Sequence, residues 1–511
     1  MSRSGNMTAQ KSVNIVWFKR DLRIHDHAPL TLAAAAGKVL PIYIVEPDYW
    51  RLPDSSRRHW MFIHDCLVEL REDLQKLGLT FHVRVGEAAD LLDEFQKGIG
   101  KFKLWSHEET GNAWTYERDK RIARWCRDNG IEWDQSPTNG VVRRLESRDG
   151  WATLRNHRMA APRIAVPAAV AANEEFSTGD IPSKGDPLFG EPVSHVQTGG
   201  RKEGLKTIAS FLNVRAQKYI ATLSKPGLSA RYSSRLGPHL AFGTLSSREV
   251  EQATRTRLFE LANSPEPEAK HMRKNLSHFL SRLAWRCHFM QKLEQQPEIE
   301  THCMHQAFEG MREPHFREDF FFAWKMGLTG YPLVDACMRS LYANGWINFR
   351  MRAMLVSFAS YHLWLDWRVT APHLAQLFTD YEPGIHLSQF QMQSGVTGIN
   401  AVRIYNPVKQ SLDQDPEGKF IRRYVPELAD VSMQWIHEPW RLPYPPASYP
   451  KPIVDHGEVT KHARNEIARR RHQSGFITDA DAVFQKLGSR TRASERVPKP
   501  LKDKDQFNFE L

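Results

Sequence analysis

The chain has 511 residues, a net charge of +11 and 41% apolar residues, which suits a soluble globular protein of more than one domain and excludes a disordered or fibrous chain. No apolar run approaches the ~20 residues of a membrane helix, and the opening MSRSGNMTAQKS lacks a signal peptide's apolar core, so a cytoplasmic protein is expected. The five cysteines, Cys66, Cys126, Cys287, Cys303 and Cys337, are scattered and never form C-x-x-C, which argues against a disulfide framework and against a structural zinc site, and no metal ligand is expected. The positive charge points to a polyanionic partner, nucleic acid first, although the basic stretches KHARNEIARRRHQSGF and LGSRTRASERVPKPLKDKDQ carry much of it.

In chain order, SVNIVWF (12–18) reads as a buried strand and HAPLTLAAAAG as a helix. VLPIYIVEP (39–47) is a strand, RHWMFIHDCLVELREDLQKLG an amphipathic helix, and LTFHVRVG a strand with Phe81, Val83 and Val85 on one face. AADLLDEFQKGIG is helical, KFKLWSH a strand, WTYERDKRIARWCRDNG helical, and IEWDQSP closes the series. Such alternation predicts a doubly wound, Rossmann-like parallel sheet, which binds ligands at the carboxyl ends of its strands. Residues 155–203 are rich in Pro, Ala and Gly without sustained periodicity and read as a connector, after which helical patterns prevail to about Arg403. The fold class is therefore α/β plus all-α, with boundaries at 12–145 (α/β), 146–203 (linker), 204–485 (helical) and 486–511 (basic tail). Neither G-x-G-x-x-G nor G-x-x-x-x-G-K-[ST] occurs, which leaves a dinucleotide dehydrogenase or a P-loop NTPase without support.

Four stretches of the helical half carry chemistry. RYSSRLGPHLAFGTLSSREV sets Ser233, Ser234 and Arg235 ahead of Gly237-Pro238, a pattern that suits a phosphate or simply caps a helix. NLSHFLSRLAWRCHFMQKL (275–293) flanks Trp285 with Arg282 and Arg286, which suits a base stacked beside a gripped phosphate, or an aromatic core stripe with solvated arginines. GWINFRMRAMLVSFASYHLWLDW predicts a helix over Met351–Leu365 with a buried face. Arg350 and Arg352 sit two apart on it, so at most one of them shares a site with that face. DYEPGIHLSQFQMQS (380–394) offers Asp380 and Glu382 as carboxylate partners for an inward-facing arginine.

These four, in this order, resemble the photolyase/cryptochrome family, as do IVWFKRDLRIHDHAPL at the start and RIYNPVKQSLDQDPEGKFIRRYVPEL further on. The likeness spans nearly the whole chain and implies a helical FAD-binding catalytic domain. By position it implies Arg352 and Asp380 as a pair beside the flavin ring, Ser233, Ser234, Arg235 and Leu236 around its phosphates, and Tyr219, Arg286, Asn348, Tyr381, Glu382 and His386 as further cofactor contacts. It implies Arg282, Trp285, Phe349 and Met392 at the DNA lesion, and Arg282, Trp285, His386 and Trp367 as catalytic residues. A second, antenna chromophore, folate or deazaflavin, is implied for the α/β domain, near EETGNAWTYERD (108–119). The resemblance is not to the iron–sulfur branch, because no cysteine follows Cys337.

The chain also departs from the family pattern. Arg282 stands where many members carry a lesion-binding glutamate, Phe349 where they carry an asparagine, and His386 where most photolyases face flavin N5 with an asparagine. Of the three relay tryptophans, the middle one is Trp367, while Phe390 and Pro314 occupy the other two positions. Trp364 and Tyr361, at helical i, i+3 spacing, offer another route or mere packing. The expected function is a blue-light-dependent deoxyribodipyrimidine photolyase that acts on UV-damaged DNA by electron transfer from reduced FAD. The alternative is a cryptochrome-type photoreceptor without repair. No obligate protein partner is expected, and the chain is read as a monomer.

Overall fold

A computed structural model describes residues 13–173 and 176–490, and the basic segment 491–511 lies outside the described residues. Strands β1 (Val13–Phe18), β2 (Lys38–Val45), β3 (His82–Val85), β4 (Phe102–His107) and β5 (Glu132–Ser136) alternate with helices α1 (Ala28–Ala36), α2 (Arg57–Lys76), α3 (Ala88–Ile99) and α4 (Ala113–Asp128). All pairings are parallel, in the order β3-β2-β1-β4-β5, with Val13 opposite both Lys38 and Phe102. The near-continuous burial of β1, β2 and β4 is what a sheet covered by helices on both faces requires. Strand order reverses beside β1, so the turn after β1, Lys19-Arg20-Asp21, lies at the switch point where such sheets open a crevice.

The connector is more ordered than its composition suggests. Residues Trp151–Ala160 form helix α5, because Trp151, Arg155 and Met159 recur at i, i+4 and i+8 and are all buried. Ala171–Ala172 then add a two-residue strand, β6, against Lys38 and Val39 of β2. Among the described residues no strand follows β6. The helices that position the site are α6 (Arg201–Asn213), α7 (Ser247–Ala262), α8 (Pro267–Gln295), α9 (Pro332–Asn344), α10 (Phe349–Ser357), α11 (Trp367–Leu377) and α12 (Pro383–Gln393).

The helix expected over Met351–Leu365 ends earlier. After Ser357 the hydrogen bonds widen to a π-helical turn over Phe358–His362, closed by Leu363 N–H donating to Phe358 O, and Trp364 takes a left-handed φ of 54°. The apolar pattern runs on past this break, which is why periodicity alone misses it. Tyr361 and Trp364 therefore do not share a helical face; the Arg312 guanidinium lies over both rings, at 5.5 and 4.7 Å.

The two halves are locked by the turn after β1. Arg20 donates to Ala241 O (3.0 Å) and Tyr381 O (2.9 Å), Leu22 N–H to Phe242 O, and Arg23 to Gly243 O (2.9 Å). Gly243 has φ +69°, and a Cβ there would stand 2.3 Å from Arg20 O, so this close approach needs glycine. Asp21 beneath it accepts from His27 and His107 (2.9 and 2.6 Å). His27 Nδ1 accepts from Leu30 N–H, so its Nε2 carries the proton and is a hydrogen-bond donor rather than a metal ligand.

Candidate functional site

A cavity of about 240 Å³ opens in the helical half. Asn348 begins α10 by accepting from Met351 N–H (3.1 Å), which sets Phe349 at the rim and turns Arg352, one position past Met351, inward. Arg352 meets Asp380 twice, Nη2 to Oδ2 and Nη1 to Oδ1, both at 3.0 Å. Its Nε donates to Ile347 O, and Phe378 lies 4.1 Å below the guanidinium. Arg350 leaves in another direction and donates to Gln410 (3.2 Å). Asp380 follows the end of α11, and Tyr381, Glu382 and His386 continue the wall with Trp346, Phe378 and Phe390.

Positive charge is in excess where the cavity wall meets the Arg235 loop beside it, Arg235 itself lying off the lining. Arg235, at φ +57°, lays its guanidinium 4.3 Å over Trp346, and burial pulls it down to about 10 despite the nearby Asp380. Glu382 is already engaged by Arg286 (2.6 Å) and Arg20 (3.7 Å), so Asp380 alone faces both Arg235 and Arg352. The Ser233–Ser234 backbone is held by Arg215, which donates to both carbonyls. His386 Nε2 donates to Ala371 O (2.9 Å), and burial lowers its imidazole to about 4, so it is neutral with Nδ1 as an acceptor.

The remaining residues singled out in the sequence lie elsewhere. Tyr219 packs among Phe211, Phe279 and His278, and Leu236 lies in the same apolar cluster. Arg282 contacts His278 Nε2 (3.0 Å), and Trp285 sits half-buried against His288 and Phe289, a turn or more along α8. None of these lines the cavity. Met392 is half-buried on the last turn of α12, also off the lining. Trp367 is buried on α11 under Arg368, Phe390 packs on His386 (4.5 Å), and Pro314 is exposed on a short turn. Sequence reasoning missed Arg215, Trp346 and Arg20, whose partners lie up to 361 positions away; for Arg20 the R-D-L-R turn was the available signal.

A flavin dinucleotide fits these residues. The aromatic and aliphatic wall suits a tricyclic ring, the guanidinium surplus suits a diphosphate, and Ser233 Oγ and Asn348 Nδ2 are buried without a hydrogen-bond partner. The crevice on the sheet, lined by Trp17, Tyr43, Glu46, Trp50 and Arg118, is only about 50 Å³. It is filled by ion pairs of Arg118 with Glu46 (2.7 Å), Glu109 (2.5 Å) and Asp119 (3.0 Å).

Comparison with known proteins matches residues 14–151 to the DNA photolyase family and residues 279–469 to the FAD binding domain of DNA photolyase. A deoxyribodipyrimidine photo-lyase of Streptomyces griseus is 31% identical over 90% of this chain and 99% of its own. Among solved structures, a bacterial class III photolyase from Agrobacterium tumefaciens superposes with a TM-score of 0.77 at 26% identity, covering 92% of this chain and all of its own. An archaeal photolyase from Sulfolobus tokodaii with two FAD molecules gives 0.71 at 27%, covering 89% and all of its own.

Proposed function

Because this chain belongs to the DNA photolyase family, we propose that it is a deoxyribodipyrimidine photolyase, a light-driven carbon–carbon lyase that splits UV-induced pyrimidine dimers in DNA. The observation that carries the reading is the Arg352–Asp380 pair on the wall of the aromatic cavity, with the Arg235 guanidinium close to the same carboxylate. A reduced FAD held in that cavity would supply the one-electron chemistry that opens the dimer.

The chain's own residues hold and insulate that cofactor. Arg235, with Ser233 and Ser234, binds the diphosphate, and Arg215 fixes the loop that carries them. Arg352 and Asp380 would orient the ring, and His386, neutral with Nδ1 unprotonated, would offer it a hydrogen-bond acceptor. Arg282, Trp285, Phe349 and Met392 are assigned to the flipped dimer and its backbone, Arg282 as the cation facing developing negative charge. Phe349 is 43% exposed at the cavity rim, which supports its contact with DNA. The net charge of +11 supports a polyanionic partner. A second chromophore at the sheet crevice would have to displace the Arg118 ion pairs. All five cysteines are free and buried, and among the described residues no helix is long and apolar enough to cross a membrane; both support a reducing, cytoplasmic setting.

The test uses chemically reduced protein mixed with UV-irradiated oligothymidine, following recovery of base absorbance with and without blue light. Recovery in light only is expected. No recovery by flavin-loaded protein refutes cyclobutane-dimer repair and leaves a (6-4) photoproduct or the photoreceptor reading for a second lesion substrate to separate.

A further inference from the structure

Two oxidisable rings, Trp346 and Tyr381, line the cavity, and their surroundings differ sharply. Trp346 carries the Arg235 guanidinium 4.3 Å over its face, and a cation there opposes loss of an electron, which would leave a second positive charge. Phe390, also on the lining, is far harder to oxidise. Tyr381 is 5% exposed, and its Oη donates to Asp54 Oδ2 at 2.6 Å, across the boundary between the halves. The same oxygen accepts from Asn112 (3.0 Å), and among the described residues no cation pairs with Asp54. Arg20 holds the Tyr381 backbone (2.9 Å), and the ring stands edge-on to His386 at 5.2 Å. Oxidation turns a phenol into a strong acid, so a buried tyrosine gives up an electron readily only when a base is already hydrogen-bonded to it.

We propose that Tyr381 is the electron donor that charges the cofactor in light, with Asp54 as its proton acceptor. Tyr381 loses one electron to the light-excited oxidised flavin, and its Oη proton passes to Asp54 Oδ2, leaving a neutral tyrosyl radical beside a neutral acid. A thiol in solution then returns one electron and is oxidised towards disulfide, its own proton going to water, and Asp54 hands the proton back. Burial holds the phenol far above its usual range, so it is neutral in the dark and the proton moves only with the electron. The chain would thus draw its electron through the α/β side of the cavity rather than along a path through positions 390 and 314.

The inference rests on the cavity holding flavin, so the dark absorbance spectrum of the holoprotein is read first, and a wild type without flavin overturns both readings. With flavin bound, blue-light bleaching is followed in H₂O and D₂O with thiol present, and samples frozen under light are examined by EPR. We expect a radical signal that narrows when ring-deuterated tyrosine is incorporated. Bleaching should slow about tenfold in Tyr381→Phe, and about threefold with loss of the solvent isotope effect in Asp54→Asn. Flavin-loaded Tyr381→Phe that bleaches at the wild-type rate overturns the proposal. So does a radical signal indifferent to labelled tyrosine, or one abolished by Trp346→Phe or Trp367→Phe with Tyr381 intact.

Discussion

The sheet crevice and the helical cavity are both lined by buried charge, yet they handle it in opposite ways. At the crevice, Glu46, Glu109 and Asp119 are set against Lys19, Arg118 and Arg143, with contacts from 2.5 to 3.7 Å, so charge is balanced by the chain itself. At the cavity, Arg352 on the wall and Arg235 beside it share Asp380 as their carboxylate. Leaving buried charge and polar atoms unmatched costs stability, so such a site is retained where something else completes it. The first region sets three carboxylates against three cations of its own; the second leaves one carboxylate between two guanidiniums, which suits an anionic ligand.

The comparison breaks first at Asp380. Asp380→Ala leaves two guanidiniums without a carboxylate and should cost about 3 kcal/mol of cofactor binding, roughly a hundredfold. The flavin-to-protein absorbance ratio after purification reads it, and full occupancy would show that the pair does not serve the cofactor. Arg118→Ala should do the reverse. It strands Glu46, leaves Glu109 and Asp119 to Lys19 and Arg143, and should lower folding stability by about 3 kcal/mol with flavin retained, as seen by denaturant titration. Equal loss of flavin from both variants would erase the distinction between the regions.

His386 adds a dependence on pH. Burial holds its imidazole at about 4 in the fold, against 6.5 when unfolded, so the unfolded chain takes up the proton first. The stability this confers is complete above pH 6.5 and is lost as pH falls from 6.5 towards 4, up to about 3 kcal/mol. Wild type should therefore fall relative to His386→Asn over that window in a melting series, and a pH-independent difference would refute it. The smallest effect belongs to Arg350→Ala. That side chain turns to Gln410, so flavin occupancy should change by less than about twofold, whereas a tenfold loss would mean that both arginines serve the cavity.

Much of the molecule is legible before folding. The nine alternating elements from Val13 to Ser136 follow from short continuous apolar runs for the buried strands and 3.6-residue periodicity for the helices, because each needs only neighbours a few residues away. A spacing of two on a helix allows only one of Arg350 and Arg352 to turn inward, the family resemblance points to Arg352, and Asp380 and Glu382 stand out as carboxylates in an apolar stretch. Helix α5 hides in a Pro- and Ala-rich connector because only three of its residues are buried. The π turn after Ser357 hides because apolar residues continue through it.

By itself, then, the sequence determined the element order, the two-part class and the family motifs, all of which are written in local periodicity and collinear residues. Only the tertiary structure decided that Arg235 lies over Trp346, that Arg20 reaches Tyr381, and that Tyr381 meets Asp54, 327 positions away. Pairing at that separation depends on how two halves dock, and no local pattern encodes a docking geometry. Sequence also could not say which charges cancel, because Glu382 and Asp380 look alike along the chain. Glu382 is taken up by Arg20 and Arg286, and Asp380 by Arg352 on the cavity wall.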